Sequence, residues 1–182
     1  IGNLQKPRAV IKMLWISGIA DLMLMLGVII TIHVSGQSNI SAISRLPIEG
    51  VGAAGCVLML LGALAKAGAV PFHSWIPLAA EDAQSPFLAL FPASLEKILG
   101  IGLAIRIVTQ IYDVQPGSPV STFVMIVGAV TLFIGVAMAL IQKDMKKLLS
   151  YHAISQVGYM ILGVGSALPI GIVGALFHMI NH

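Results

Sequence analysis

Residues 50–70 read GVGAAGCVLMLLGALAKAGAV, and residues 71–77 continue as PFHSWIP. The first stretch is apolar over the roughly 20 residues that a helix needs to cross a bilayer, and its one charge is Lys66. The second stretch opens and closes on proline, Pro71 and Pro77. Proline removes a backbone donor and clashes with the preceding turn, so a helix of membrane length runs into a break beside a lone cation. Broken helices at membrane depth survive only where protein buries them or where they line a wet cavity. Transporters build ion sites from such breaks. The region from Lys66 to Pro92, which also holds His73, Glu81, Asp82 and Pro86, is therefore the first place to look for function.

The rest of the chain has the same character. Only 9% of its residues are charged and 58% are hydrophobic. A soluble domain carries charge on about a quarter of its residues, so this chain has too little to cover a water-facing surface. In lipid every backbone polar group must be satisfied internally, which leaves helices or closed barrels. The apolar runs are long and continuous rather than ten-residue alternations, so the reading is all-α, a polytopic membrane helix bundle. Spans are expected near 13–33, 51–71, 87–111, 121–141 and 148–166, with a sixth from 169 to 182, all in one transmembrane domain over 1–182. Gly36–Glu49 and Asp113–Pro119 read as polar or Pro/Gly-rich connections, and Lys143–Lys147 as a basic loop. The chain opens on Ile1 rather than Met and stops at His182 inside an apolar run, so it is read as an internal piece of a longer protein with no signal peptide.

Charge placement sets an expected orientation. Lys6, Arg8 and Lys12 precede the first span, and Lys143, Lys146 and Lys147 follow the fourth, which puts both clusters on one side. Arg45 and Arg106 fall on the other, so the start of the chain is expected to be cytoplasmic. The net charge of +3 is too small and too dispersed to suggest nucleic-acid binding. The single cysteine, Cys56, lies in an apolar run and can form neither an internal disulfide nor a cysteine-based cluster. No cofactor is expected in this chain, and any redox centre is expected to sit in another subunit or to use non-cysteine ligands.

Ionisable groups inside the spans are the functional candidates, because a charged side chain at the helix centre costs roughly 3 kcal/mol on insertion scales. Lys66 reads either as a lysine snorkelling to the interface or as a buried group able to take and release a proton. Glu96 and Lys97 are adjacent, hence about 100° apart around their helix, and each needs its own partner. For Lys97 that partner would be Lys66 or an acid elsewhere. Asp21, within ISGIADLMLMLG, is the simplest partner for a buried lysine, with an interfacial capping role as the alternative. His178 and His182 share a helix face at i and i+4. That spacing suits zinc, but no third ligand is evident, and a proton relay or ordinary buried hydrogen bonds fit the membrane setting better. His73 and His152 are weaker candidates near helix ends. Glu81 and Asp82 read as members of a solvated loop with a capping role. Gly100, Gly102, Gly128 and Gly135 are expected to let helices approach closely. No phosphate loop, nucleotide-binding GxGxxG or nucleophile elbow is present. The chemistry these residues offer is proton transfer between fixed groups.

Three of these stretches carry a resemblance. LGALAKAGAVPFHSWIPLAAEDAQSP (residues 61–86) resembles the broken-helix segment of the antiporter-like subunits of respiratory complex I. DMKKLLSYHAISQVGYMILGVG (144–165) resembles the same family's next signature, and FHMINH (177–182) the start of its histidine-bearing broken helix. The family also holds Mrp-type cation/proton antiporters and membrane subunits of energy-converting hydrogenases, and FPASLEKILGI (91–101) is closer to the hydrogenase type. The resemblance implies a fourteen-helix-class fold with inverted five-helix repeats, of which this chain would cover the end of one and the start of the next. It implies that Lys66 is the lysine of the first half-channel, that Asp21 lies beside it, and that His178 and His182 link the two half-channels. The glutamate that usually pairs with the lysine would precede Ile1, and a central lysine would follow His182. There are departures. Phe91 and Pro92 stand near the family's relay histidine, so that Glu96 or Lys97 would substitute for it, and His152 replaces a small hydroxyl residue.

The function expected from this resemblance is a proton-translocating, antiporter-like subunit of a redox-driven complex. Its partners would be other membrane subunits, lipid, and protons or Na⁺, in a prokaryotic cytoplasmic membrane or an energy-transducing organelle membrane. Energy released in partner subunits would change the proton affinities of Asp21, Lys66, Lys97, His178 and His182 in turn. The alternatives are a secondary Na⁺/H⁺ antiporter subunit without redox coupling, and a structural membrane anchor.

Overall fold

The computed structural model describes residues 8–43, 45–82, 84, 90 and 94–182. Lys6, Pro86, Phe91, Pro92 and the Asp82 side chain lie outside the described residues. So do residues 87–89 and 93 at the head of the expected third span. The described residues form an all-α bundle: α1 (Arg8–Ser35), α2 (Gly50–Lys66), α3 (Ile76–Asp82), α4 (Glu96–Arg106), α5 (Pro119–Leu140), α6 (Met145–Gly165) and α7 (Pro169–Asn181). A 3₁₀ turn, Phe72–Trp75, leads into α3, and a π turn, Ile107–Ile111, extends α4.

Local chemistry explains several ends. Ser118 caps α5 by accepting from the Ser121 amide, with Pro119 in the first turn where its missing N–H is harmless. Asp144 caps α6 by accepting from the Lys147 amide at 3.0 Å. The second helix stops at Lys66, short of the proline at 71. Gly68 sits at φ +76, the Gly68 amide donates to Ala65 O at 3.1 Å, and the Ala69 amide donates to Leu64 O at 3.0 Å. This is the Schellman arrangement, which only a residue tolerant of positive φ adopts easily.

The main core gathers from α2, α4, α5 and α6 around Leu60, Leu64, Ile101, Ile107, Val157 and Ile161. Close backbone approach fixes the α5–α6 pair. A Cβ on Gly128 would come within 2.8 Å of the Leu162 nitrogen, and one on Gly158 within 2.8 Å of the Gly128 oxygen. Gly135 on α5 and Gly100 on α4 are equally tight against Ser155 and Ala63, whereas Gly102 has nothing within 4 Å. The expectation of close approach at Gly102 is thus corrected among the described residues. A second cluster, Trp75, Ile76 and Ile154, seats the broken segment on α6, with Met13 and Ile16 of α1 against it.

The outer surface is apolar. Trp15 on α1 is 69% exposed and Phe133 on α5 is 73% exposed, in company with Leu14, Leu22, Met25 and Ile126. Two helices among the described residues, α1 and α5, combine spanning length with high hydropathy, while α2 and α7 are shorter apolar helices. At 28 residues, α1 runs to about 42 Å at 1.5 Å per residue, beyond the roughly 30 Å of hydrocarbon.

Both basic clusters meet the broken segment. Lys147 of α6 pairs with Glu81 of α3 at 2.7 Å, and the Lys12 charge reaches His73. The reading of Glu81 as a loop residue that caps a helix N-terminus is therefore corrected: it lies, exposed, in the last turn of α3 and ties that helix to α6. At the other end of the bundle, the Thr31 and Tyr112 hydroxyls meet at 2.8 Å. There Arg45 donates to Thr109 O at 2.9 Å.

Candidate functional site

Lys66 is the last residue of α2, so its ammonium sits at the negative end of that helix, where a cation is favoured. Its Nζ donates to Asp21 Oδ1 of α1, forming an ion pair. The two side chains keep 33% and 52% of their surface accessible, so this pair is half-buried rather than sealed. It opens onto a cavity of about 160 Å³ whose lining includes Ser17, Lys66, Trp75 and Glu96. The cavity lies where α2 ends at Lys66 and the chain turns into the Phe72–Trp75 segment.

Glu96 and Lys97 begin α4, and their divergence around the helix sends them to different neighbours. Glu96 faces the Lys66 cavity, and its Oε2 is buried with no hydrogen-bond partner among the described residues. Lys66 and Lys97 are the charges whose fields reach it. Lys97 is 2% exposed and points the other way. Its Nζ lies 3.1 Å from both ring nitrogens of His182 at the end of α7. The expected partner of Lys97, Lys66 or an acid, is replaced by this histidine.

From His182 the polar groups continue on α6 and α7. The His152 ring stacks on His182 at a centroid distance of 6.3 Å, and His178 meets His182 edge-on at the same distance. His178 Nε2 lies 2.8 Å from Gln156 Oε1, and Gln156 Nε2 lies 3.3 Å from His152 Nε2. An amide oxygen only accepts and an amide NH₂ only donates, so the Gln156 side chain bridges the two rings with one group of each kind. Tyr159 packs its ring edge against His178 at 5.8 Å.

The structure thus brings Asp21 to Lys66, turns Glu96 into their cavity, joins Lys97 to His182 and places His178 one ring away. The sequence alone does not mark Gln156 or Tyr159, and it ranks His152 below His178 and His182. A signal was present: His152 and Gln156 stand at i and i+4, like His178 and His182, so each pair shares a helix face. Among the described residues no group of three or more His, Cys, Asp or Glu side chains gathers in a way that could hold a metal ion.

A family profile described as NADH:quinone oxidoreductase/Mrp antiporter, TM, matches residues 2–182. The chain belongs to that family. Among its relatives, a Na⁺/H⁺ antiporter subunit of Alkalihalophilus pseudofirmus is 31% identical over 185 residues, covering 100% of this chain and 37% of the relative. A NADH-quinone oxidoreductase subunit of Beutenbergia cavernae is 28% identical over 190 residues, covering 99% of this chain and 34% of the relative. A NAD(P)H-quinone oxidoreductase subunit of the Paulinella chromatophora chromatophore is 38% identical over 130 residues, 70% of this chain and 18% of the relative. The chain therefore spans about a third or less of the length of these relatives.

Solved structures agree on the fold. A chain of the Mrp complex from Dietzia sp. superposes with a TM-score of 0.84 at 27% identity, covering 96% of this chain and 32% of that one. A chain of respiratory complex I from Thermus thermophilus gives 0.83 at 21% identity, covering 98% and 38%. Both belong to multi-subunit membrane assemblies, as these family members do. The family is integral to membranes, which explains the apolar outer surface of α1 and α5.

Proposed function

We propose that this chain is the proton-carrying part of an antiporter-like subunit in a redox-driven membrane complex. The observation that carries the reading is the run of ionisable and polar side chains through the bundle: Asp21, Lys66, Glu96, Lys97, His182, and then His178 and His152 with Gln156. Asp21 and Lys66 exchange charge at the helix break, and the cavity passes a proton to Glu96, whose buried Oε2 has no partner among the described residues. Lys97, one residue on, delivers it to the His182 ring. Proton hops need heavy-atom separations of about 2.6–3.2 Å or one intervening water, and the Lys97–His182 contact meets that at 3.1 Å. The chain itself needs no cofactor for this work, and the driving energy comes from partner subunits of the NADH:quinone oxidoreductase or energy-converting hydrogenase type. Its place is a prokaryotic cytoplasmic membrane or an energy-transducing organelle membrane.

A second reading, a Na⁺/H⁺ antiporter subunit without redox coupling, is favoured by the match to the Alkalihalophilus antiporter over the whole of this chain and by the superposition on an Mrp complex chain. Both readings use Lys66. The test is Lys66→Ala in the full-length complex, with proton movement measured separately from electron transfer and in the presence and absence of Na⁺. Loss of proton movement with the partners still turning over supports the reading. Unchanged movement removes Lys66 from it, and proton movement that requires Na⁺ without any electron donor selects the second.

A further inference from the structure

Gly68 ends α2 at Lys66 through its Schellman bonds, and the turn leaves the amides that follow it in need of other acceptors. In a continuous helix the Val70 amide would donate to the Lys66 carbonyl, four residues back. Here it donates to Thr131 Oγ1 of α5 at 3.1 Å. Thr131 in turn donates its own hydroxyl proton to Val127 O at 2.7 Å, so a lone pair is left aimed at Val70.

Thr131 is 0% exposed and cannot trade either bond for water. It stands between Gly128 and Gly135, the two glycines that let α5 press its backbone onto α6. The hydroxyl is therefore mounted on a closely packed pair of helices, whose α6 member carries His152 and Gln156.

We propose that Thr131 is a positioning residue: by capturing the Val70 amide it pins the segment after the Gly68 turn to α5 and so registers Lys66 against the α5–α6 pair. The inference rests on the reading of Lys66 as a proton carrier. Without the hydroxyl, the Val70 amide loses its acceptor and the segment after the turn is no longer tied to α5. Lys66, two residues before that turn, then shifts relative to Asp21 and the Glu96 cavity.

The experiment compares Thr131→Val, Thr131→Ser and Lys66→Ala in the full-length complex reconstituted in vesicles. Proton movement per assembled complex is read across a pH series, and hydrogen exchange is read on the peptide that contains Val70. Thr131→Val is expected to slow proton movement about five- to tenfold, the usual scale of one lost hydrogen bond. It is also expected to displace the pH profile and alter exchange at the break, with Thr131→Ser restoring all three. A Thr131→Val complex that is merely less abundant, with wild-type rate and pH profile per complex, overturns the proposal, as does a serine variant that fails to rescue. If Thr131→Val does not assemble, Thr131→Ala carries the same test with the same outcomes. The Lys66→Ala arm separates the two claims: full activity there defeats the role of Lys66, whereas loss there beside an unaffected Thr131→Val defeats the positioning role alone.

Discussion

Replacing Lys97 by methionine separates transport from stability. Lys97 is 2% exposed, and its ammonium rests against the His182 ring at 3.1 Å with no acid in hydrogen-bond contact among the described residues. Methionine has nearly the same length and volume but no charge to desolvate. Lys97 has no hydrogen-bonded acid to leave stranded, and removing it saves the cost of holding a charge out of water while Glu96 keeps Lys66 as a cationic neighbour, so the variant is expected to fold and assemble about as well as the wild type. Transport has the opposite expectation. A thioether cannot carry a proton, and Lys97 is the side chain next to Glu96 that reaches the His182 ring at hydrogen-bond distance. Proton movement per complex should fall at least about tenfold, equivalent to about 1.4 kcal/mol of added barrier. The assay follows a pH-sensitive dye in vesicles, with thermal unfolding measured on the same preparation. Unaltered proton movement in Lys97→Met would refute the reasoning. So would a loss of several kcal/mol of stability with transport per folded complex intact, the behaviour of a structural anchor.

Two further outcomes follow from the packing and the half-buried pair. Gly158→Ala places a Cβ 2.8 Å from the Gly128 oxygen, which is backbone and cannot swing away. The expected cost is about 1–3 kcal/mol from overpacking, read as a lower melting temperature. Gly102→Ala, in open space, should be neutral or gain up to about 1 kcal/mol from helix propensity. Equal melting temperatures for the two variants would contradict the account of the α5–α6 contact. Asp21→Asn removes one charge of a half-buried pair but keeps a side-chain oxygen that can accept from Lys66, so the complex should still assemble. Proton movement should nonetheless drop, and a variant that loses stability in proportion to transport would favour a structural role.

The sequence shows clearly that the chain is an all-α bundle and where its expensive charges lie. Long apolar runs with so few charges have no other solution in lipid, and Lys66 and Asp21 are conspicuous because hydrocarbon penalises them. The exact end of α2 was harder to read. The prolines dominate the stretch, so the eye runs to Pro71, while Gly68 two residues after Lys66 is what turns the chain. The partner of Lys97 was not legible at all. His182 lies 85 residues away, and only the packing of α7 against α4 and α6 brings them together. The same holds for Thr31 with Tyr112 and for Val70 with Thr131, contacts across 81 and 61 residues. Side-chain chemistry is visible one residue at a time. A path is a property of neighbours.

The central claim is continuity between the Lys66 cavity and the Lys97–His182 contact, and Glu96 is the group that bridges them. The most direct measurement is therefore proton movement per assembled complex in Glu96→Gln, a change that keeps the shape of the side chain and removes its titration. The expected result is a loss of about tenfold or more, the scale on which positioned proton-transfer groups contribute, with the partner subunits still turning over. Wild-type proton movement in Glu96→Gln would contradict the account, because the buried carboxyl would then lie beside the path and not on it.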